Sequence, residues 1–220
     1  MYQYIREFPV TIALALATLL VFLIPNAETV CELQTGSALL SQWFQVLACH
    51  LAHWSADHLM WDLMMFVLMG VICEKQNRGL YAIVLVASGV LIPFLVAQSA
   101  PNIDSYRGLS GVDTALFGMA MWYLIGNSVE DRNWWGTGFF SLLFLGMFAK
   151  IGFEYLSGST LFAEGDNFTA VPSAHLVGAL IGCAAGLYEI LGPSNLGGLG
   201  LRLMARSPRA TLEESGDALR

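Results

Sequence analysis

Apolar residues gather in long stretches of about twenty positions, close to the length a helix needs to cross a bilayer. The stretches cover residues 8–24, 51–72, 80–100, 109–126, 136–156 and 172–191, with polar segments between them. In hydrocarbon every backbone polar group must pair within its own helix, so each stretch is predicted to be a transmembrane helix. The expected fold is an all-α membrane protein, a six-helix bundle forming one domain over residues 1–200. Residues 201–220 are polar and are expected to form a mobile cytoplasmic tail. The first stretch follows Arg6, as a secretory leader would. No small-x-small cleavage site comes after it, so it reads as an anchor.

Composition agrees with the pattern. Apolar residues make up 56% of the chain and charged residues 12%, against about 25% charged in a soluble domain. The net charge of −7 offers no basic face for a nucleic acid, and no such partner is expected. The basic residues sort by side. Arg6, Lys75, Arg78, Arg132, Arg202, Arg206 and Arg209 flank one set of helix ends. Segments 26–50 and 157–171 carry none, and 101–107 carries only Arg107. Positive loops stay inside, so both termini are expected in the cytoplasm, with the protein in the cell (inner) membrane.

That topology places the chemically interesting groups at one depth, in the outer half of the bilayer. His53, His58 and Asp62 open the second stretch, Ser110 the fourth and His175 the sixth. A serine hydroxyl is a poor nucleophile without a base, and histidine is the usual base. Ser110 is therefore the candidate nucleophile and His175 its general base. Gly111 and Gly118 on one helix, with Gly178 and Gly182 on the other, are small residues at near-helical spacing that allow close packing. Ser110 sits in a first turn, where free N–H groups and the helix dipole favour a developing oxyanion. Serines and glycines also serve packing alone, whereas a histidine inside a span is costly and usually functional.

These residues resemble the rhomboid family of intramembrane serine proteases. Gly108-Leu109-Ser110-Gly111-Val112, followed by Ala115, Leu116 and Gly118, is similar to the family's serine helix. Ala174-His175 with Gly178 and Gly182 matches A-H-x-x-G-x-x-x-G. His53, His58 and Asp62 match H-x-x-x-x-H-x-x-x-N except at the last position, and Gly70–Glu74 matches G-x-x-x-E. The resemblance implies a rhomboid-like bundle that cleaves a peptide bond in or near a substrate's transmembrane segment. It implies a Ser110–His175 dyad without a third acid, no cofactor and no metal. His58 and the Ser110 N–H, next to Gly111, would form the oxyanion hole, with His53 as a supporting hydrogen-bonding group. Segment 157–171 would cap the site on the external, periplasmic side. Tyr106-Arg107-Gly108-Leu109-Ser110-Gly111 is also similar to rhombosortases, which are thought to process C-terminal anchors of surface proteins. The expected partners are a membrane-protein substrate and the lipid bilayer.

Three departures from the family pattern matter. Asp62 stands where an oxyanion-hole asparagine is usual. It could donate as a neutral acid, or pair with His58 or His175 and orient it, and the orienting role is preferred. Thr114 replaces the aromatic residue that stacks on the histidine. Trp43-Phe44-Gln45 replaces a Trp-Arg pair in the first external loop, which is expected to dip into the interface. Asp62 and Thr114 keep a second reading open, a catalytically silent binder of membrane segments. His50, His53, His58 and Asp62 also have helical spacings suited to zinc, a third reading, without an H-E-x-x-H arrangement. His50 is expected instead to hydrogen-bond loop carbonyls. Asp113, another acid in a span, is expected to be shallow or neutral, since a charge there costs about 2.5–3.5 kcal/mol. Lys150 and Glu154, four residues apart, are expected to neutralise each other with no catalytic role. Cys31 and Cys49 fit either a bridge or two free thiols.

Overall fold

The computed structural model describes residues 7–99, 103–159, 161 and 171–192. The tail expected over 201–220 lies outside the described residues, as does most of the expected cap. The main helices are α1 (Pro9–Leu23), α4 (Ala56–Gln76), α5 (Arg78–Ser99), α6 (Ser110–Glu130), α7 (Trp134–Ser157) and α8 (Pro172–Leu191), one for each apolar stretch. Two short helices, α2 (Ala27–Cys31) and α3 (Trp43–Ala48), lie in the segment between α1 and α4. By length and composition α4, α5, α7 and α8 can cross a membrane. Helix α1 is apolar but has only 15 residues.

Local chemistry explains the boundaries. Pro9 and Pro172 begin their helices at positions where the missing N–H costs nothing. Ser55 caps α4 by accepting the His58 N–H at 3.1 Å, and Asn133 caps α7 by accepting the Gly136 N–H at 3.0 Å. Asn77 separates α4 from α5 and accepts the Leu80 N–H at 3.0 Å. Gly158 ends α7 in the left-handed region at φ 68°.

Helix α6 is the hub and packs against α4, α5, α7 and α8, most extensively against α8. Its buried residues include Val112, Ala115, Leu116, Met119 and Ala120. Helix α7 is peripheral and buries only Met147, Ile151 and Glu154. Much of the rest of its surface is apolar and exposed, as suits a lipid-facing helix, with Trp134 and Trp135 at one end. Trp43 and Phe44 of α3 are likewise exposed.

The G-x-x-x-E stretch has a clear structural task. Glu74 accepts the Val10 N–H (3.1 Å), the Thr11 N–H (2.9 Å) and the Thr11 hydroxyl (2.7 Å). These backbone groups are orphan donors in the first turn of α1, so Glu74 satisfies the helix start from a neighbouring helix. A Cβ on Gly70 would come within 2.8 Å of Thr11, which is why glycine precedes Glu74 by one turn.

A two-stranded antiparallel ladder, β1 (Leu33–Gln34) with β2 (Ser105–Tyr106), pairs Leu33 with Tyr106. It fastens the first loop to the segment that leads into α6. Arg107 reinforces it by binding Glu32 (Nε to Oε2, 2.8 Å) and lying 4.2 Å over the Trp54 ring.

Candidate functional site

Ser110 is the first residue of α6 and is half-buried. The chain enters it through Gly108, whose φ of 120° favours glycine and where a Cβ would lie 2.9 Å from His58 Cε1. The Gly108 N–H donates to the Cys49 carbonyl at 3.0 Å. His50 lies between two carbonyls, Gly108 (3.3 Å) and Gly89 (3.2 Å), so it supports the entry to the helix, in line with its expected bonding to carbonyls. Burial holds the His50 imidazole below its ordinary pKa despite these acceptors.

Asp62 takes its place beside that entry. Its Oδ2 accepts the Leu109 N–H at 2.9 Å, lies 3.0 Å from His53 Nε2 and 3.3 Å from His58 Nε2. Asp62 thus pairs with His58 rather than with His175, and His53 shares the same carboxylate oxygen. The carboxylate at His175 is a different one.

His175 lies in the first turn of α8, buried. A Cβ on Gly178 would run into the Gly111 carbonyl, and one on Gly182 into the Ala115 carbonyl. A Cβ on Gly111 would lie 3.2 Å from the Ala174 carbonyl, and one on Gly118 3.4 Å from the Cys183 nitrogen. The four glycines thus bring α6 and α8 into backbone contact, with Gly111 level with Ala174. The residues beside that contact, Ser110 and His175, line the same cavity of about 770 Å³.

The resemblance implies no acid partner for the histidine, and Lys150 and Glu154 are expected to neutralise each other. That ion pair is present, and Glu154 has a second partner besides. Glu154 Oε2 lies 2.6 Å from His175 Nδ1, while its Oε1 accepts from Lys150 Nζ at 2.6 Å. Lys150 Nζ is also 3.4 Å from His175 Nδ1. Glu154 is 1% exposed, on a helix whose only other charged residue is Lys150. An ionisable residue inside an apolar stretch was the signal available in the sequence. The i,i+4 lysine hid it by offering a sufficient local explanation.

Other expected groups fall around the same cavity. His58, Asp62, Asp113 and Thr114 line it. The Thr114 hydroxyl donates to the Ser110 carbonyl at 2.7 Å. Asp113 is buried, and its Oδ1 has no hydrogen-bond partner among the described residues. For a metal, ligand atoms of His53, His58 and Asp62 lie within 4.8 Å of one another. His50 faces its two carbonyls instead, and Asp62 already serves a backbone N–H. Cys31 and Cys49 are free thiols, and burial raises the pKa of Cys49.

A family model described as the Rhomboid domain matches residues 40–191, which include both Ser110 and His175. No curated relative matches the chain.

Proposed function

Because this chain belongs to the rhomboid family, we propose that it is an intramembrane serine endopeptidase with Ser110 as nucleophile and His175 as general base. The family comprises multi-pass proteins of intramembrane serine proteolysis and includes inactive members. The observation that carries the reading is the shared cavity. Ser110 and His175 both line it, and glycine contacts hold their two helices against each other.

Ser110 Oγ attacks the substrate carbonyl carbon while His175 Nε2 takes the hydroxyl proton. With Nδ1–H held by a carboxylate, the Nε2 lone pair is the one available for this task. The tetrahedral oxyanion is stabilised by the Ser110 N–H and His58, with Asp62 setting the position of the His58 ring. As the intermediate collapses, His175 returns the proton to the leaving amine. Water entering the cavity then hydrolyses the acyl-enzyme with His175 again as base.

The substrate is a membrane protein presenting a transmembrane segment, and the apolar wall formed by Met64, Phe117, Leu142 and Met147 suits such a segment. Six spans with both termini in the cytoplasm put the site toward the external face. A second reading within this chemistry is rhombosortase-like processing of C-terminal anchors of surface proteins, supported by the likeness of Tyr106–Gly111 to that branch.

Labelling with a fluorophosphonate tests the proposal. Covalent labelling that disappears in Ser110→Ala and persists with chelator supports a serine enzyme. A folded wild-type chain that takes no label supports a silent binder, and labelling abolished by chelator supports a metal-dependent site.

A further inference from the structure

We propose that Glu154 is a positioning residue for His175, and that Lys150 tunes it, so that the site works as a Ser110–His175–Glu154 triad with a cationic clamp. The inference rests on Ser110 and His175 acting as proposed above. Its own basis is the chain of contacts Lys150 Nζ–Glu154 Oε1 (2.6 Å) and Glu154 Oε2–His175 Nδ1 (2.6 Å). The two carboxylate oxygens are divided between the two partners.

The division has chemical consequences. A carboxylate on Nδ1 keeps a proton there and so selects the tautomer whose Nε2 can accept. It also stabilises the imidazolium that forms when Ser110 gives up its proton, and it stays ionised throughout. The Nδ1 proton does not move; only the Ser110 proton does, to Nε2 and then to the leaving amine. Glu154 is 1% exposed, so an unpaired charge there would carry a large desolvation cost. Lys150 offsets that cost from the preceding turn of the same helix; its side chain is 26% exposed and it lines the cavity. The ammonium also draws charge from the carboxylate and so moderates its hold on the imidazole.

Sequence location supports a function tied to the site. Lys150 and Glu154 are the only charged residues of α7, and the rest of its surface is largely apolar. Thr114, where the resemblance implies an aromatic residue stacked on His175, donates its hydroxyl to the Ser110 carbonyl instead. Glu154 holds the His175 ring from α7.

Among the described residues, the other charges around His175 come from two more helices. Asp113 on α6 and His58 and Asp62 on α4 line the same cavity. Helix α5 also packs on α8, but its only charged residue, Arg78, pairs with Glu74 at the other end of the bundle. None of these substitutes for the contact at Nδ1.

The test is the pH dependence of fluorophosphonate labelling on the full chain in detergent or liposomes. Glu154→Gln keeps an acceptor for the Nδ1–H but removes the charge. It should slow labelling on the order of 100-fold or more and move the pH midpoint downward by about one unit. Lys150→Met should move the midpoint upward, because Glu154 then serves the imidazole alone. Glu154→Asp should restore part of the rate lost in Glu154→Gln. A merely structural pair would lower thermal stability in all three variants without moving the midpoint. Wild-type rate and midpoint in Glu154→Gln overturn the inference while leaving the serine mechanism intact. If Glu154→Gln fails to fold, the Lys150→Met midpoint decides, and an unmoved value overturns it. A folded wild type that takes no label ends the serine mechanism and this inference together.

Discussion

The Asp62 carboxylate accepts the Leu109 N–H at 2.9 Å, one residue before Ser110. The bond crosses from α4 to the start of α6 and holds the chain where the serine helix begins. A buried backbone donor without a partner costs about 1–3 kcal/mol. The same Oδ2 atom gathers His53 and His58, so one group positions both the helix entry and a cavity-lining ring.

Asp62→Ala should therefore lower stability by about 1–3 kcal/mol and depress labelling of Ser110. Asp62→Asn keeps an acceptor oxygen for Leu109 and should retain more of both. Thermal melts and labelling rates read the two effects. An alanine variant as stable and as reactive as wild type would refute the positioning role.

Gly178→Ala and Gly182→Ala place a methyl against a backbone carbonyl, which cannot swing aside as a side chain can. Each should cost on the order of 1–3 kcal/mol or more and force α8 away from α6, with loss of labelling. Gly152→Ala is the matched control, since a Cβ there meets nothing within 4 Å. Equal labelling in all three would show that the glycine contacts do not set the Ser110–His175 approach.

Glu74→Ala leaves the Val10 and Thr11 donors unpaired at the start of α1. A loss of about 3–5 kcal/mol is expected, as for a buried charged partner removed from its network. The site lies toward the other end of α4, so labelling of the protein that remains folded should be near wild type. A variant with normal melting but lost labelling would contradict this.

His50 has an imidazole pKa depressed by burial. As pH falls through the ordinary histidine value near ~6.5, the unfolded chain takes up a proton before the folded one does. Stability should therefore fall between neutral pH and the lower folded value, and level off below it. His50→Gln should flatten the dependence of melting temperature on pH in that range. An unchanged slope would assign the effect to other groups.

The helices were legible because hydrocarbon imposes a length and an apolar composition that local sequence must carry by itself. Each apolar stretch became one helix; Ser55, Asn77 and Asn133 set the ends where they supply a cap or break, whereas α6 runs on to Glu130, four residues past its apolar stretch. The glycines at 178 and 182 were legible too, because i,i+4 spacing places them on one face whatever the partner is.

What the chain alone determined is thus local: periodic apolar segments, small-residue faces, and a serine and a histidine each near a helix start. Which carboxylate meets which imidazole depended on the packing of separate helices. Asp62 is four residues from His58 but also binds Leu109, while Glu154 reaches 21 residues along the chain to His175. Local spacing offered Glu154 a complete partner in Lys150, and only the approach of α7 to α8 left its second oxygen facing the histidine. Hydrogen bonds between helices depend on angstrom-scale placement, and that placement is fixed by the sum of many weak contacts rather than by any one stretch of sequence.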